Sequence, residues 1–382
     1  MRKWKVLHQW KTRLLGSLVL AVLWIVPLMA GFAVPAGAAG LADGAVYALS
    51  NAAAGNEVLV YNRAPDGTLA FQAAYPTAGL GSGAGLGSQG AVILSQDHRW
   101  LFAVNAGSSD ISSFAVTSSG LSLVDVEPAG GLHPISLAAY DSLLYVLNDG
   151  GSGDIHGFSI GPGGDLSPLA GSTQPLSNGG AGAAPGPAQI SFTPDGTALV
   201  VTEKATNLLL TYPLAGGLAQ PPVAHPSAGM TPFGFAVSRL GYVIVSEAFG
   251  GAAGLSALSS YAVSGTSLSL VSPSVATTQT AACWVALSKN NKFAYVANTG
   301  SSSVSGYRIN PDGSLTLLNP TAGLTGAGSR PADAAFSRNG LYLYVRSGGS
   351  ETISAFRWQP AGSLASLGEV SVMAGSVGLA AY

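Results

Sequence analysis

The chain repeats itself, and the repeat leaves few folds open. An aromatic or aliphatic run ends on a polar residue, passes a small polar turn and enters a second apolar run. The pattern appears as VYALSN at 46–51, LFAVNAGSSDISSFAV at 101–116, LYVLNDGGSGDIHGFSI at 144–160 and LVVTEKATNLLLTYPL at 199–214. It returns from 242 as YVIVSEAFGG, at 294–309 as AYVANTGSSSVSGYRI and at 342–358 as YLYVRSGGSETISAFRW. The closing polar residues are Asn51, Asn105, Asn148, Glu203, Glu247, Asn298 and Arg346, spaced by 54, 43, 55, 44, 51 and 48. Such a period suits four short strands joined by three turns, the blade of a β-propeller.

Two further elements complete each unit. A short apolar strand and a turn precede the closing residue, as in AVILSQDHR at 91–99, AQISFTPDG at 188–196, WVALSKNNK at 284–292 and ADAAFSRNG at 332–340. A turn with Gly and Leu opens a last strand, as in DGTLAF at 66–71 and DGSLTL at 312–317. Gly and Asp tolerate the backbone angles of tight antiparallel turns. We label the strands A to D from the channel outward. The first unit lacks a strand A, and SVGLAAY at 376–382 closely matches PISLAAY at 134–140, which is one. The last residues are therefore expected to pair with the first blade and close the ring, removing two exposed sheet edges. The fold expected is all-β, a seven-bladed propeller with four antiparallel strands per blade.

Composition bounds what such a protein can be. Residues 1–13 carry Arg2, Lys3, Lys5, Lys11 and Arg13 and no acid, an apolar stretch follows from Leu14 to Val34, and Ala36-Gly37-Ala38 ends it. This reads as an export signal over 1–38, with an uncleaved membrane anchor as the alternative. The propeller domain is then 39–382, with 11 basic against 18 acidic residues and a net charge of −7. With no basic cluster, nucleic acid is not an expected partner. The chain has one cysteine, Cys283, so no internal disulfide can form. A monomer released outside the cell, or tethered to the membrane, is the expectation.

Topology selects a working face. In a meander, turns A–B and C–D lie on one side and turns B–C and D–A on the other. The A–B turns are short, whereas the D–A connections include the long glycine-rich segments 76–90, 172–187 and 320–331. Long loops on a rigid scaffold usually carry function. A ligand is accordingly expected at the channel mouth on the B–C side, among the seven closing residues. Asn105, Asn148 and Asn298 read as substrate-binding groups or as plain turn caps. Glu203, Glu247 and Arg346 put charge where asparagine caps elsewhere, and read as catalytic candidates. His133, just before Pro134, lies in a D–A connection on the same face. Arg330 and Asp333 flank Pro331 and either bind an anionic substrate or pair with each other. Cys283 reads as a small buried hydrophobe. The run GLGSGAGLG at 79–87 follows an outer strand and opens no helix, so it reads as a flexible loop and not as a dinucleotide site. The four histidines beyond residue 38 show no metal-ligand spacing. No cofactor is expected.

FAYVANTGSSSVSGYRINPDGSL at 293–315 and WLFAVNAGSSDISSFAV at 100–116 resemble the lactonase-type seven-bladed propellers, the phosphogluconolactonase and carboxymuconate cyclase relatives. The resemblance implies a lactone or sugar-derived substrate and a site of His, Arg and Glu around the channel. Glu247 matches the Glu that closes strand B of blade five in that family, and Glu203 stands where an Asp is usual. The family's His-Pro-His before blade four is Gly186-Pro187-Ala188 here, and its Pro-Arg-His before blade five is Pro232-Phe233-Gly234. His133 lies two or three residues out of register with a family His. Two functions follow as expectations. One is an exported lactone hydrolase, with Glu247 as general base and Arg330 or Arg346 stabilising the oxyanion. The other is a non-catalytic propeller that binds a ligand or a surface or cell-wall partner.

Overall fold

A computed structural model describes residues 44–382. The proposed export signal lies outside the described residues. Seven antiparallel sheets follow one another in sequence, and the innermost strand of each packs against the next around a closed ring. Blade two is the simplest, with A at Val92–Leu94, B at Trp100–Asn105, C at Asp110–Thr117 and D at Gly120–Pro128. In blades three and four the outer strand is split into two short pieces. The segment expected to form a loop over 320–331 starts inside a strand D, Leu315–Leu324.

Burial explains the pattern. Strand B is covered on both faces by neighbouring blades, so it reads as an unbroken apolar run, and Ala45–Leu49 and Ala198–Glu203 are buried throughout. Strand D lies at the rim, and Leu69–Pro76 mixes exposed and half-buried positions. In some blades a strand B tyrosine ties the blade to the following C–D turn: Tyr145 donates to the Gly217 carbonyl at 2.8 Å and Tyr295 to that of Gly362 at 2.8 Å. Four of the short A–B turns share one device, a Ser or Thr hydroxyl bonded to an Asp or Asn two residues on. It joins Ser95 to Asp97 at 2.7 Å, Thr193 to Asp195 at 2.7 Å, Ser288 to Asn290 at 2.8 Å and Ser337 to Asn339 at 2.7 Å.

Ring closure is as expected. Val377–Ala381 pairs antiparallel with Ala45–Leu49, aligning Val46 with Ala381 and Tyr47 with Ala380. Tyr344 of blade seven crosses the seam to the Gly67 carbonyl at 2.9 Å, the contact Tyr145 and Tyr295 make elsewhere.

Candidate functional site

The closing residues of strand B are buried, and most are occupied. Glu203 and Glu247 end their strands fully buried. Glu203 accepts from the Ser177 N–H at 2.9 Å, its hydroxyl at 2.6 Å and the Thr206 hydroxyl at 2.6 Å. Glu247 accepts from the Gly229 N–H at 2.8 Å, the Ser274 hydroxyl at 2.6 Å and the Ser259 hydroxyl. Burial pushes the Glu247 carboxyl up, and those three bonds partly restore it. Both acids brace their own blades. Asn105 donates to Ser112 at 2.8 Å and Asp110, Asn148 to Asp154 at 2.7 Å, and Asn298 to Ser303 at 3.1 Å and Ser305 at 2.9 Å. These side chains fasten strand B to strand C.

Arg346 departs from the series. Strand register aligns Ser347, not Arg346, with Pro331, as Asn148 aligns with Pro134 and Glu203 with Pro187. Arg346 instead faces Asp333 across strands B and A. Its equivalents Thr202 and Ser246 reach toward the next blade, donating to the Phe233 and Cys283 carbonyls. Asp333 is 1% exposed and Arg346 5%. Burial raises the Asp333 carboxyl to about 7, against the pull of Arg346 and of the Ala334, Leu379 and Gly90 N–H groups. Leu379 belongs to the closing strand, so the pair sits at the seam between the last blade and the first. Arg330 is exposed and forms no ion pair with Asp333.

His133 has a partner that the sequence reading missed. Its Nδ1 lies 2.5 Å from Asp149 Oδ1. The backbone fixes the pair, because the Asp149 N–H donates to the His133 carbonyl at 3.2 Å and the His133 N–H to the Ser109 hydroxyl at 3.1 Å. The side chains are 36% and 28% exposed. The bond to Asp149 raises the His133 pKa. With Nδ1–H held by the carboxylate, Nε2 is the ring's free base. Lys204 is also new. It donates to the Pro187 carbonyl at 2.7 Å and the Gly87 carbonyl at 2.9 Å, and sits 4.8 Å from the centre of the Phe233 ring. Burial lowers it to about 8, with Asp149 acting the other way. Asp149 follows Asn148, and Lys204 follows Glu203, so each is one step past a residue the repeat had singled out.

The B–C mouth, where a ligand was expected, is filled. The glycine-rich run 79–91 is tied down over the channel rather than loose. Asn51 Nδ2 donates to the Ala84 carbonyl at 2.6 Å and its Oδ1 accepts the Ser82 N–H at 2.9 Å. A Cβ at Gly81 would run into the Asn51 carbonyl, so only glycine allows this approach. Gln89 then spans the channel. Its Nε2 donates to the Val285 carbonyl of blade six at 3.0 Å, and its Oε1 accepts the Val285 N–H at 3.2 Å. Its own N–H reaches Ala188 of blade four at 3.1 Å.

A cavity of about 980 Å3 opens on the other side. Its lining includes the A–B turn residues Gln96, His98, Thr193 and Arg239. Of the residues singled out in the sequence, only Asp333 lines it. Among the described residues, no group of three or more His, Cys, Asp or Glu side chains is placed to hold a metal ion.

The resemblance read from the sequence is borne out. Residues 247–380 match the family model described as "Lactonase, 7-bladed beta-propeller". The matched segment contains Asp333 and Arg346 but not His133 or Asp149. A "putative 6-phosphogluconolactonase" from Bacteroides uniformis superposes with a TM-score of 0.68 at 18% identity, over 89% of this chain and 100% of that one. The periplasmic gluconolactonase of Pseudomonas aeruginosa gives 0.65 at 17% identity, over 88% and 99%. At these identities the likeness is one of fold. No curated protein matches the sequence.

Proposed function

We propose that this protein is a lactone hydrolase whose reaction runs on the B–C face, with His133 as general base. The observation that carries the reading is the His133–Asp149 pair, a half-exposed imidazole held by a carboxylate in the orientation a base requires. Support comes from the lactonase family match and from the two similar folds, one called a gluconolactonase.

The step is simple. Water adds to the lactone carbonyl carbon while His133 Nε2 takes its proton and Asp149 steadies the imidazolium. Collapse of the tetrahedral intermediate breaks the ring C–O bond, and His133 returns the proton to the leaving alkoxide. The product is a hydroxy acid. An uncharged lactone suits this face better than a phosphorylated one. Phe233, which stands where the resembling family has Arg, packs on Trp284 at 4.8 Å, and Lys204 is already committed to two carbonyls. We further propose that the protein works outside the cytoplasm as a monomer, after cleavage behind Ala38. N-terminal sequencing and sedimentation of the exported protein check both points.

Hydrolysis of uncharged lactones by wild type and His133→Gln tests the main reading. The variant is expected to lose about 10²–10⁴ in kcat. Wild-type rate is expected to rise with pH through the elevated His133 pKa, because the neutral ring is the active form. A folded His133→Gln protein with wild-type kcat would sink the assignment.

A further inference from the structure

The channel is a blind cup. Its floor is the segment that ends the glycine-rich run, and Gln89 is the bolt. That one residue touches four blades. Its carbonyl accepts from Ser136 of blade three at 2.6 Å, its N–H goes to Ala188 of blade four, and its side chain pairs with Val285 of blade six. In blade five, a Cβ on Gly234 would collide with Gln89 Oε1, so glycine leaves the room that the crossing needs. Gln189 repeats the device, exchanging bonds of 2.9 and 2.7 Å with Phe235. The amides in the floor are thus spent on the protein.

The walls and rim are different. Among the described residues, the side chains of Gln96, Tyr140 and Arg239 line the cup and hydrogen-bond to no protein group, Ser191 makes one long bond of 3.4 Å, and His98 Nδ1 is buried without a partner. One wall is aromatic, with the Tyr140 and Phe192 rings 5.5 Å apart. The volume stands at the upper end of the roughly 300–1,000 Å3 usual for small-molecule sites. Charge is scarce. Burial first, and Arg338 second, depress the His98 pKa, Asp333 lies 1% exposed in the floor, and Arg239 stands at the mouth. Unspent hydroxyl, amide and guanidinium groups facing aromatic rings, with little net charge, fit the polar edge and the apolar face of a sugar ring.

We propose that the cup is a binding site for an uncharged saccharide, entered from the A–B face and separate from the His133–Asp149 pair. It goes beyond the hydrolase reading and does not depend on it. Two experiments on the purified protein test it. In ligand-observed NMR at millimolar concentration, glucose and cellobiose are expected to show saturation transfer, and glucose 6-phosphate less. Ser191→Trp, which fills the cup, is expected to lower the affinity at least about tenfold. Tyr140→Ala replaces it if circular dichroism shows that the tryptophan variant does not fold. No transfer to either neutral sugar, preference for the phosphorylated one, or unchanged affinity in a folded cup variant would overturn the proposal. The second experiment uses the chain's one thiol, Cys283, 6% exposed beside the floor. Gln89→Gly removes the bolt and is expected to speed alkylation of Cys283 by about tenfold, since access limits a buried thiol. An unchanged rate in a folded variant would show that Gln89 does not close the floor.

Discussion

The two ends of the channel use their polar residues in opposite ways. On the A–B side, short turns spend a Ser or Thr and an Asp or Asn on themselves, within two residues of sequence. Nothing folds inward there, and the channel stays open. On the B–C side, long connections must find partners for many backbone groups, and they find them in the channel. Gly87 and Pro187 give carbonyls to Lys204, Ser88 donates to the Ile135 carbonyl at 2.7 Å, and Gln89 crosses to blade six. Loop length is therefore a poor guide to openness: the long loops fill one mouth, and the short ones leave the other accessible. Chemistry divides in the same way, with the His–Asp pair on the filled face and the cavity on the open one.

The largest stability effect should separate these two uses. Glu247→Ala strips three donors of their shared acceptor inside a fully buried site. At about 1 kcal/mol per bond, the loss should be about 3 kcal/mol in urea denaturation. A cost below about 1 kcal/mol would mean that water replaces the carboxylate and that the B–C anchors are no more than local caps.

The fold was largely legible because burial repeats. Strand B is covered on both faces in every blade, so its apolar run recurs, and SVGLAAY betrayed the closing strand by matching PISLAAY. The site was less legible for two reasons. Side-chain direction alternates along a strand, so one residue decides between a brace and an accessible group. Asn148 and Glu203 attracted notice as strand ends, while Asp149 and Lys204, one position on, met His133 and the plug. The same single step explains Arg346, whose repeat position belongs to Ser347. A glycine-rich run, moreover, has no periodicity. Nothing in GLGSGAGLGSQG announces that it ends inside a channel.

A smaller effect should mark the seam where the two faces share a wall. Asp333 is raised to about 7 when folded and titrates near 3.8 when unfolded. Between those values the folded state holds a proton that the unfolded state has lost, so stability falls as pH rises from about 4 to 7. Asp333→Asn cannot lose that proton. Its melting temperature, compared with wild type at pH 5 and pH 7.5, should improve relative to wild type at the higher pH. Parallel pH profiles for the two proteins would show that Asp333 keeps its charge in the fold through its contact with Arg346.

The smallest effect belongs to the open face. Asn339 accepts the Ser337 hydroxyl at 2.7 Å and the Leu341 N–H at 3.0 Å, at an exposed turn where water can replace it. Asn339→Ala should cost only about 0.5–1 kcal/mol, well under Glu247→Ala, in the same urea titration. The ordering matters more than either value. If the turn variant proved the costlier, the short turns would be holding the cup open against an inward collapse of strand A. The A–B face would then be a strained rim, and the contrast between a filled mouth and a passively open one would have to be abandoned.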